Sequence, residues 1–170
     1  MVKILVTGHT SGIGKHLYEN LDGDIVGASR SNDKPITKIS EWFDESYDLF
    51  INNAYDDSNF TAQSEALEYA YSKWKDNSSK MIISIGSNAP DFEGYHTYNK
   101  GKTLLDKVNF DCYMETDGVK CSLVRPGWVD TPRITEWWDG KKLKVGRILE
   151  VVNFIINFDD RIREITLENK

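Results

Sequence analysis

Apolar residues along this chain follow two alternating periods. Short β-branched runs over residues 2–6, 24–29, 48–51, 81–85, 119–124 and 164–167 predict strands, several of them stopped by Gly, Asn or Pro-Gly. Between them, Ile13, Leu17 and Leu21 stand four apart on one helical face, and Phe60, Ala66, Leu67, Ala70, Tyr71 and Trp74 recur at helical spacing. A longer helix is predicted over 97–114, and Ile148, Leu149, Val152, Ile155 and Ile156 mark a last one. Residues 34–39, led by Pro35, predict a further short strand at a sheet edge, and Ser40 is placed to cap a short helix over 41–45. Residues 128–144 have no clear period and read as a loop. Strands alternating with helices predict one α/β domain over residues 1–170, a doubly wound parallel sheet with helices on both faces.

Composition narrows the function. The chain has 170 residues, 39% hydrophobic and 28% charged, enough for one sizeable core and too balanced for disorder. With 21 basic against 27 acidic side chains and a net charge of -6, a nucleic-acid surface is excluded, although a local anion pocket is compatible with it. Cys112 and Cys121 lack paired spacing, and His9, His16 and His96 form no ligand cluster, so no metal site or disulfide framework is expected. Reduced thiols suit a cytoplasmic protein. The opening apolar run ends at Gly8, too short for a signal peptide or a membrane span, so no membrane association is expected.

Thr7-Gly8-His9-Thr10-Ser11-Gly12-Ile13-Gly14 falls where the first strand hands over to the first helix. A pyrophosphate can sit there against free backbone N–H groups and the positive helix end, with glycines supplying positive φ or close approach. The spacing is Gly-x3-Gly-x-Gly rather than Gly-x-Gly-x-x-Gly, and an ordinary tight turn is the plainer alternative. At the end of the second strand stand Ser29 and Arg30, where an acidic residue would bind an adenosine ribose. A guanidinium beside a hydroxyl favours a 2′-phosphate, hence NADP over NAD, although a solvated surface arginine explains Arg30 equally simply.

Tyr98 and Lys102 are four apart and share a helical face. Tyr69/Lys73 and Tyr71/Lys75 repeat the spacing, but only Tyr98 follows the strand over 81–85 and its Gly86-Ser87 end. A phenol is a poor proton exchanger at neutral pH unless a cation stabilises its phenolate. An ammonium ~4 Å away contributes about 4 kcal/mol at an effective dielectric of ~20, roughly three pKa units before desolvation. That would bring Tyr98 into the range of general acid-base catalysis, with Ser87 donating to a carbonyl oxygen. Pro126-Gly127 and the residues to Thr131 follow another strand end and face the same crevice. Trp137 and Trp138 in the next loop are either lid residues or an oligomer contact.

In this order, Thr7-Gly8-x3-Gly12-Ile13-Gly14, Asn52-Asn53-Ala54, Ile85-Gly86-Ser87, Tyr98-x3-Lys102 and Pro126-Gly127-x3-Thr131 make the chain resemble the short-chain dehydrogenase/reductase family. The resemblance implies a Rossmann-type fold and NAD(P)-dependent oxidation of a small-molecule alcohol or reduction of a carbonyl. It implies that Tyr98 exchanges the proton, Ser87 orients the carbonyl, and Lys102 holds the nicotinamide ribose while lowering the Tyr98 pKa. Asn59, 28 residues before Ser87, would be the fourth member, supporting a proton relay. Asn53 and Ala54 would flank the adenosine ribose, and Val129 and Thr131 the nicotinamide carboxamide. The helices over 60–74 and 98–114 would pair subunits in a homodimer or homotetramer. The chain departs from the family in being much shorter, mainly between the second strand and Asn59, in carrying Tyr55 where glycine is usual, and in its short Ser87-to-Tyr98 interval. The competing class is a nucleotide-binding sensor or scaffold without turnover. A sugar-nucleotide epimerase would need a larger C-terminal region than follows Thr131.

Overall fold

Six of the apolar runs become the strands of one parallel sheet in the computed structural model, which describes residues 1–92, 96–115, 117–136 and 138–169. They are β1 (Lys3–Thr7), β2 (Asp24–Ala28), β3 (Leu49–Asn52), β4 (Met81–Ile85), β5 (Lys120–Pro126) and β6 (Glu164–Leu167), in the order β2-β1-β3-β4-β5-β6. The chain runs outward from β1 to β2 and then returns to β3 on the other side of β1. That reversal opens a crevice at the carboxyl ends of β1 and β3, where doubly wound sheets bind ligands.

Four longer helices cover the sheet. The helices α1 (Gly12–Asn20) and α6 (Gly146–Ile156) pack with Ile4, Val6, Leu49, Ile51 and Val124 on one face. On the other face, α3 (Ala62–Trp74) and α4 (Thr97–Glu115) pack with Leu5, Phe50, Ile82 and Leu123. Residues of β3 and β4 are buried on both faces, which is why their sequences are continuous apolar runs rather than alternating ones.

The stretch predicted as an edge strand over 34–39 is instead a 3-10 turn, Ile36–Lys38, leading into α2 (Ile39–Trp42). Ile36 and Ile39, three apart, are both buried, whereas Thr37 and Lys38 face solvent; a strand would have put Ile36 and Lys38 on one side. The Trp42 indole N–H donates to the Pro35 carbonyl at 2.9 Å and closes the turn. Ser40 therefore lies inside the short helix rather than capping it. The predicted loop over 128–144 contains α5 (Pro132–Thr135) and a bridge between Val129 and Leu143. Among the described residues, no helix is long and apolar enough to cross a membrane.

Candidate active site

At the carboxyl ends of the central strands lies a cavity of about 1090 Å³, running from Arg30 beside β2 to Trp128 beyond β5. This lies just above the ~300–1,000 Å³ typical of small-molecule sites. One end is built on Thr7, whose hydroxyl donates to the Ile51 carbonyl (3.2 Å) and accepts the N–H groups of Asn53 (3.0 Å) and Ala54 (3.1 Å). The Asn53 side chain returns a bond to the Thr7 carbonyl at 3.0 Å, so the ends of β1 and β3 are tied together. Gly14 is obligatory beneath this knot, because a Cβ there would lie 2.3 Å from the Gly8 carbonyl oxygen.

Gly12 serves a different purpose. Its φ is +55°, and an added Cβ would meet only Thr131, 3.5 Å away across the cavity. Ser11 makes no capping bond to the first turn of α1, and Ser11, Gly12 and Ile13 line the wall. A helix start with uncapped N–H groups, a glycine that keeps the cradle open and a long cavity fit a dinucleotide's pyrophosphate. Ser29, Arg30 and Ser31 form the wall beside β2. The Ser29 hydroxyl shares a hydrogen bond with Ser31 at 2.7 Å and caps the 3-10 turn, while Arg30 is exposed and helps hold the Asp56 carboxyl low, after the bonds it accepts from Ser58 and Asn59.

At the other end, Ser87 follows β4 and its Oγ accepts the Ala89 N–H at 3.1 Å. Ser87 also acts on the Tyr98 phenol across the cavity that both line. Burial nonetheless holds the Tyr98 pKa above its ordinary value, with Ser87 and the Arg133 charge pulling against it and Asp57 adding to it. Lys102 is buried, and its Nζ donates to Gln63 Oε1 (2.7 Å) and the Ile85 carbonyl (3.0 Å). Burial pushes its pKa down to about 7, Asp106 opposing and Arg133 assisting. Tyr55 packs edge-on against Tyr98, ring centroids 5.0 Å apart, and the Lys102 ammonium lies 5.5 Å from each ring.

No family model matches the sequence, and neither does any curated protein. Among solved structures, serine dehydrogenase complexed with NADP+ superposes with a TM-score of 0.71 at 15% identity, covering 98% of this chain and 94% of that one. A short-chain dehydrogenase from Burkholderia cenocepacia J2315 in complex with NADP gives 0.68 at 15%, covering 98% and 96%. The fold is that of the short-chain dehydrogenases. A structure named as ribose-5-phosphate isomerase from Brucella melitensis 16M gives 0.72 at 16%, covering 98% and 90%. Likeness at this level identifies the architecture and leaves the reaction to the site.

Within this short-chain dehydrogenase fold, the cavity wall contains Gly8, Thr10, Ser11, Gly12, Ile13, Ser29, Arg30, Asn53, Ala54, Ser87, Tyr98, Lys102, Gly127 and Thr131 of the residues expected there. Gly14 and Pro126 lie behind it, as packing elements. Val129 does not face a carboxamide: it is 4% exposed, sits in the core and pairs its backbone with Leu143. Asn59 does not join the site either, because its Oδ1 accepts the Thr61 N–H (3.2 Å) and hydroxyl (2.7 Å) at the start of α3. The side chain that reaches Lys102 is Gln63, whose Nε2 also donates to the carbonyls of Asn52 (2.8 Å) and Ile85 (3.0 Å). Its signal was a polar residue on the apolar stripe Gln63, Leu67, Ala70, Trp74. Nor does Lys102 lower the Tyr98 pKa as expected; the cation acting on the phenol is Arg133. Trp137 lies outside the described residues, while Trp138 stacks on Trp128 with centroids 5.0 Å apart. Both backbone groups of Trp128 are held by the Asn169 side chain, at 2.9 and 3.0 Å.

Proposed function

We propose that this chain is a member of the short-chain dehydrogenase/reductase family that reduces a small-molecule carbonyl, or oxidises the corresponding alcohol, with NADP(H) preferred over NAD(H). The observation that carries the reading is that Ser87 and Tyr98 line the same cavity, which continues to the α1 glycine turn. Binding alone does not require two converging hydroxyls at that place. Gly8 to Ile13 would hold the pyrophosphate, Asn53 and Ala54 the adjoining ribose wall, and Arg30 with Ser29 a 2′-phosphate. When bound there, NADPH would supply the hydride for the carbonyl carbon.

The protein's own groups handle the oxygen. Ser87 donates to the carbonyl oxygen as negative charge grows on it, and Tyr98 gives the same oxygen its hydroxyl proton, leaving a phenolate that solvent reprotonates. Burial raises the phenol above its ordinary pKa, so Tyr98 carries the proton that this step transfers. Lys102, neutral or charged near pH 7, and Gln63 fix the back of the site through the Ile85 carbonyl. Exposed Phe110 and Met114 on α4 support a homo-oligomer through that helix, which sedimentation tests.

The direct test is fluorescence titration with NADPH and NADH, followed by NADPH consumption across a carbonyl panel. Tyr98→Phe should keep cofactor binding and lower turnover by about 10²- to 10⁴-fold. Binding with no turnover would leave the sensor reading, and no binding of either dinucleotide would remove both.

A further inference from the structure

One charged pair at the reacting end lies beside Tyr98 without itself transferring a proton or touching the reacting oxygen. Arg133 on α5 holds its guanidinium beside both phenol rings, with Cζ 5.7 Å from the Tyr98 centroid and 5.5 Å from that of Tyr55. Its Nη2 donates to Asp57 Oδ1 at 2.6 Å, and both residues line the cavity. A carboxylate from the segment after β3 is thus already seated on a cation beside the proposed proton donor. The two side chains are 53% and 75% exposed, and a pair this wet yields readily to a competing anion. Among the other described cations lining the cavity, Lys102 is buried against Gln63 and Ile85, and Arg30 follows β2 and acts on Asp56.

We propose that Arg133 selects the substrate and that the substrate is a short oxo acid or hydroxy acid. Its carboxylate replaces Asp57 on the guanidinium while its carbonyl or hydroxyl oxygen lies between Ser87 and Tyr98. A guanidinium takes a carboxylate through two parallel N–H···O bonds, which fixes orientation as well as position. Asp57 acts as the internal stand-in: it demonstrates that a carboxylate fits the place, and it holds the arginine near Tyr98 until substrate arrives. A neutral carbonyl compound cannot make this exchange and is disfavoured. The inference rests on the oxidoreductase reading.

Two measurements test it. Calorimetry with NADPH present compares oxamate with its neutral counterpart oxamide, and kcat/KM is compared for 2-oxobutanoate, 3-oxobutanoate and their methyl esters. The wild type should bind oxamate more tightly than oxamide and favour at least one acid over its ester by about tenfold or more. Arg133→Gln should collapse that acid-to-ester ratio towards one, with Arg133→Lys recovering only part of it. Asp57→Asn, which removes the competing carboxylate, should raise the ratio. Equal use of acids and esters by the wild type overturns the inference while leaving the oxidoreductase reading intact. So does an Arg133→Gln protein whose NADPH affinity falls as far as its acid turnover, since the guanidinium would then serve the cofactor. Failure to bind NADPH at all removes both readings together.

Discussion

Replacing Lys102 by methionine keeps length and apolar volume while deleting the ammonium that Gln63 and Ile85 hold. Burial lowers the lysine from 10.5 to about 7. In the unfolded chain the same group stays protonated up to its ordinary value, so between these limits the unfolded state carries one more proton. The Lys102 contribution to wild-type stability must then rise with pH across this window, by at most about 1.4 kcal/mol per pH unit. The disfavoured charge amounts to roughly 4 kcal/mol at pH 7 and about 1.5 kcal/mol less at pH 8.5. Methionine removes that cost but orphans Gln63 Oε1, at about 1–3 kcal/mol, so the sign of the difference at pH 7 decides nothing. The slope does. Urea unfolding of both proteins from pH 7 to 8.5 should show the wild type gaining about 1.5 kcal/mol on Lys102→Met. Asp106, whose pKa burial pushes up to about 6, is ionised throughout, and the thiols of Cys112 and Cys121 contribute equally to both proteins. A difference that stays constant across the window would mean that the ammonium is hydrated, and would refute the picture of a desolvated lysine behind Tyr98.

The two glycines of the turn should separate stability from binding. Gly14→Ala drives a Cβ against the Gly8 carbonyl and should cost about 3 kcal/mol of stability in thermal or urea melts, whereas Gly12→Ala should cost about 1 kcal/mol but weaken NADPH at least about tenfold by titration. Gln63→Leu should flatten or displace the pH profile of kcat by releasing Lys102, and Asn59→Ala should only weaken the start of α3, by about 1 kcal/mol, with the profile unmoved. Arg30→Ala should raise the Kd for NADPH more than that for NADH, and equal losses would defeat the 2′-phosphate assignment.

The central strands and long helices were legible because their periods are long and unbroken: β3 and β4 as two-sided apolar runs, α1, α3 and α6 as stripes. The segment from Lys34 to Trp42 was not, since a short Pro-led run with two isoleucines reads as an edge strand by composition, and only their spacing of three marks the turn. Sequence spacing placed Ser87 beside Tyr98, because one ends a strand and the other begins the next helix. It misplaced Asn59 and overlooked Gln63, because a count along the chain does not say which of two amides in adjacent turns points inward. The share of Arg133 in the Tyr98 environment was equally out of reach. It comes from α5, in a loop without period, and meets Asp57 across 76 positions of sequence.

Between β2 and β3 the chain carries only 3-10 turns and the four-residue α2, and the proposed catalytic residues are positioned elsewhere. Ser87 leaves the end of β4, Tyr98 and Lys102 ride on α4, and the intervening register of β3, β4 and β5 is continuous through Ile51, Ile83 and Ser122. None of these positions depends on the crossover between β2 and β3. That crossover abuts the Arg30 end of the cavity, where Ile36 from the 3-10 turn supplies apolar wall. Binding energy from the remote end of a cofactor is what holds its reactive end in place, so loss of contacts there weakens Kd first and disturbs alignment only through it. Trimming that wall with Ile36→Ala should then weaken NADPH without altering the rate of a single turnover at saturating cofactor. A fall in that rate at saturation instead would show that the wall helps to align Ser87 and Tyr98 themselves.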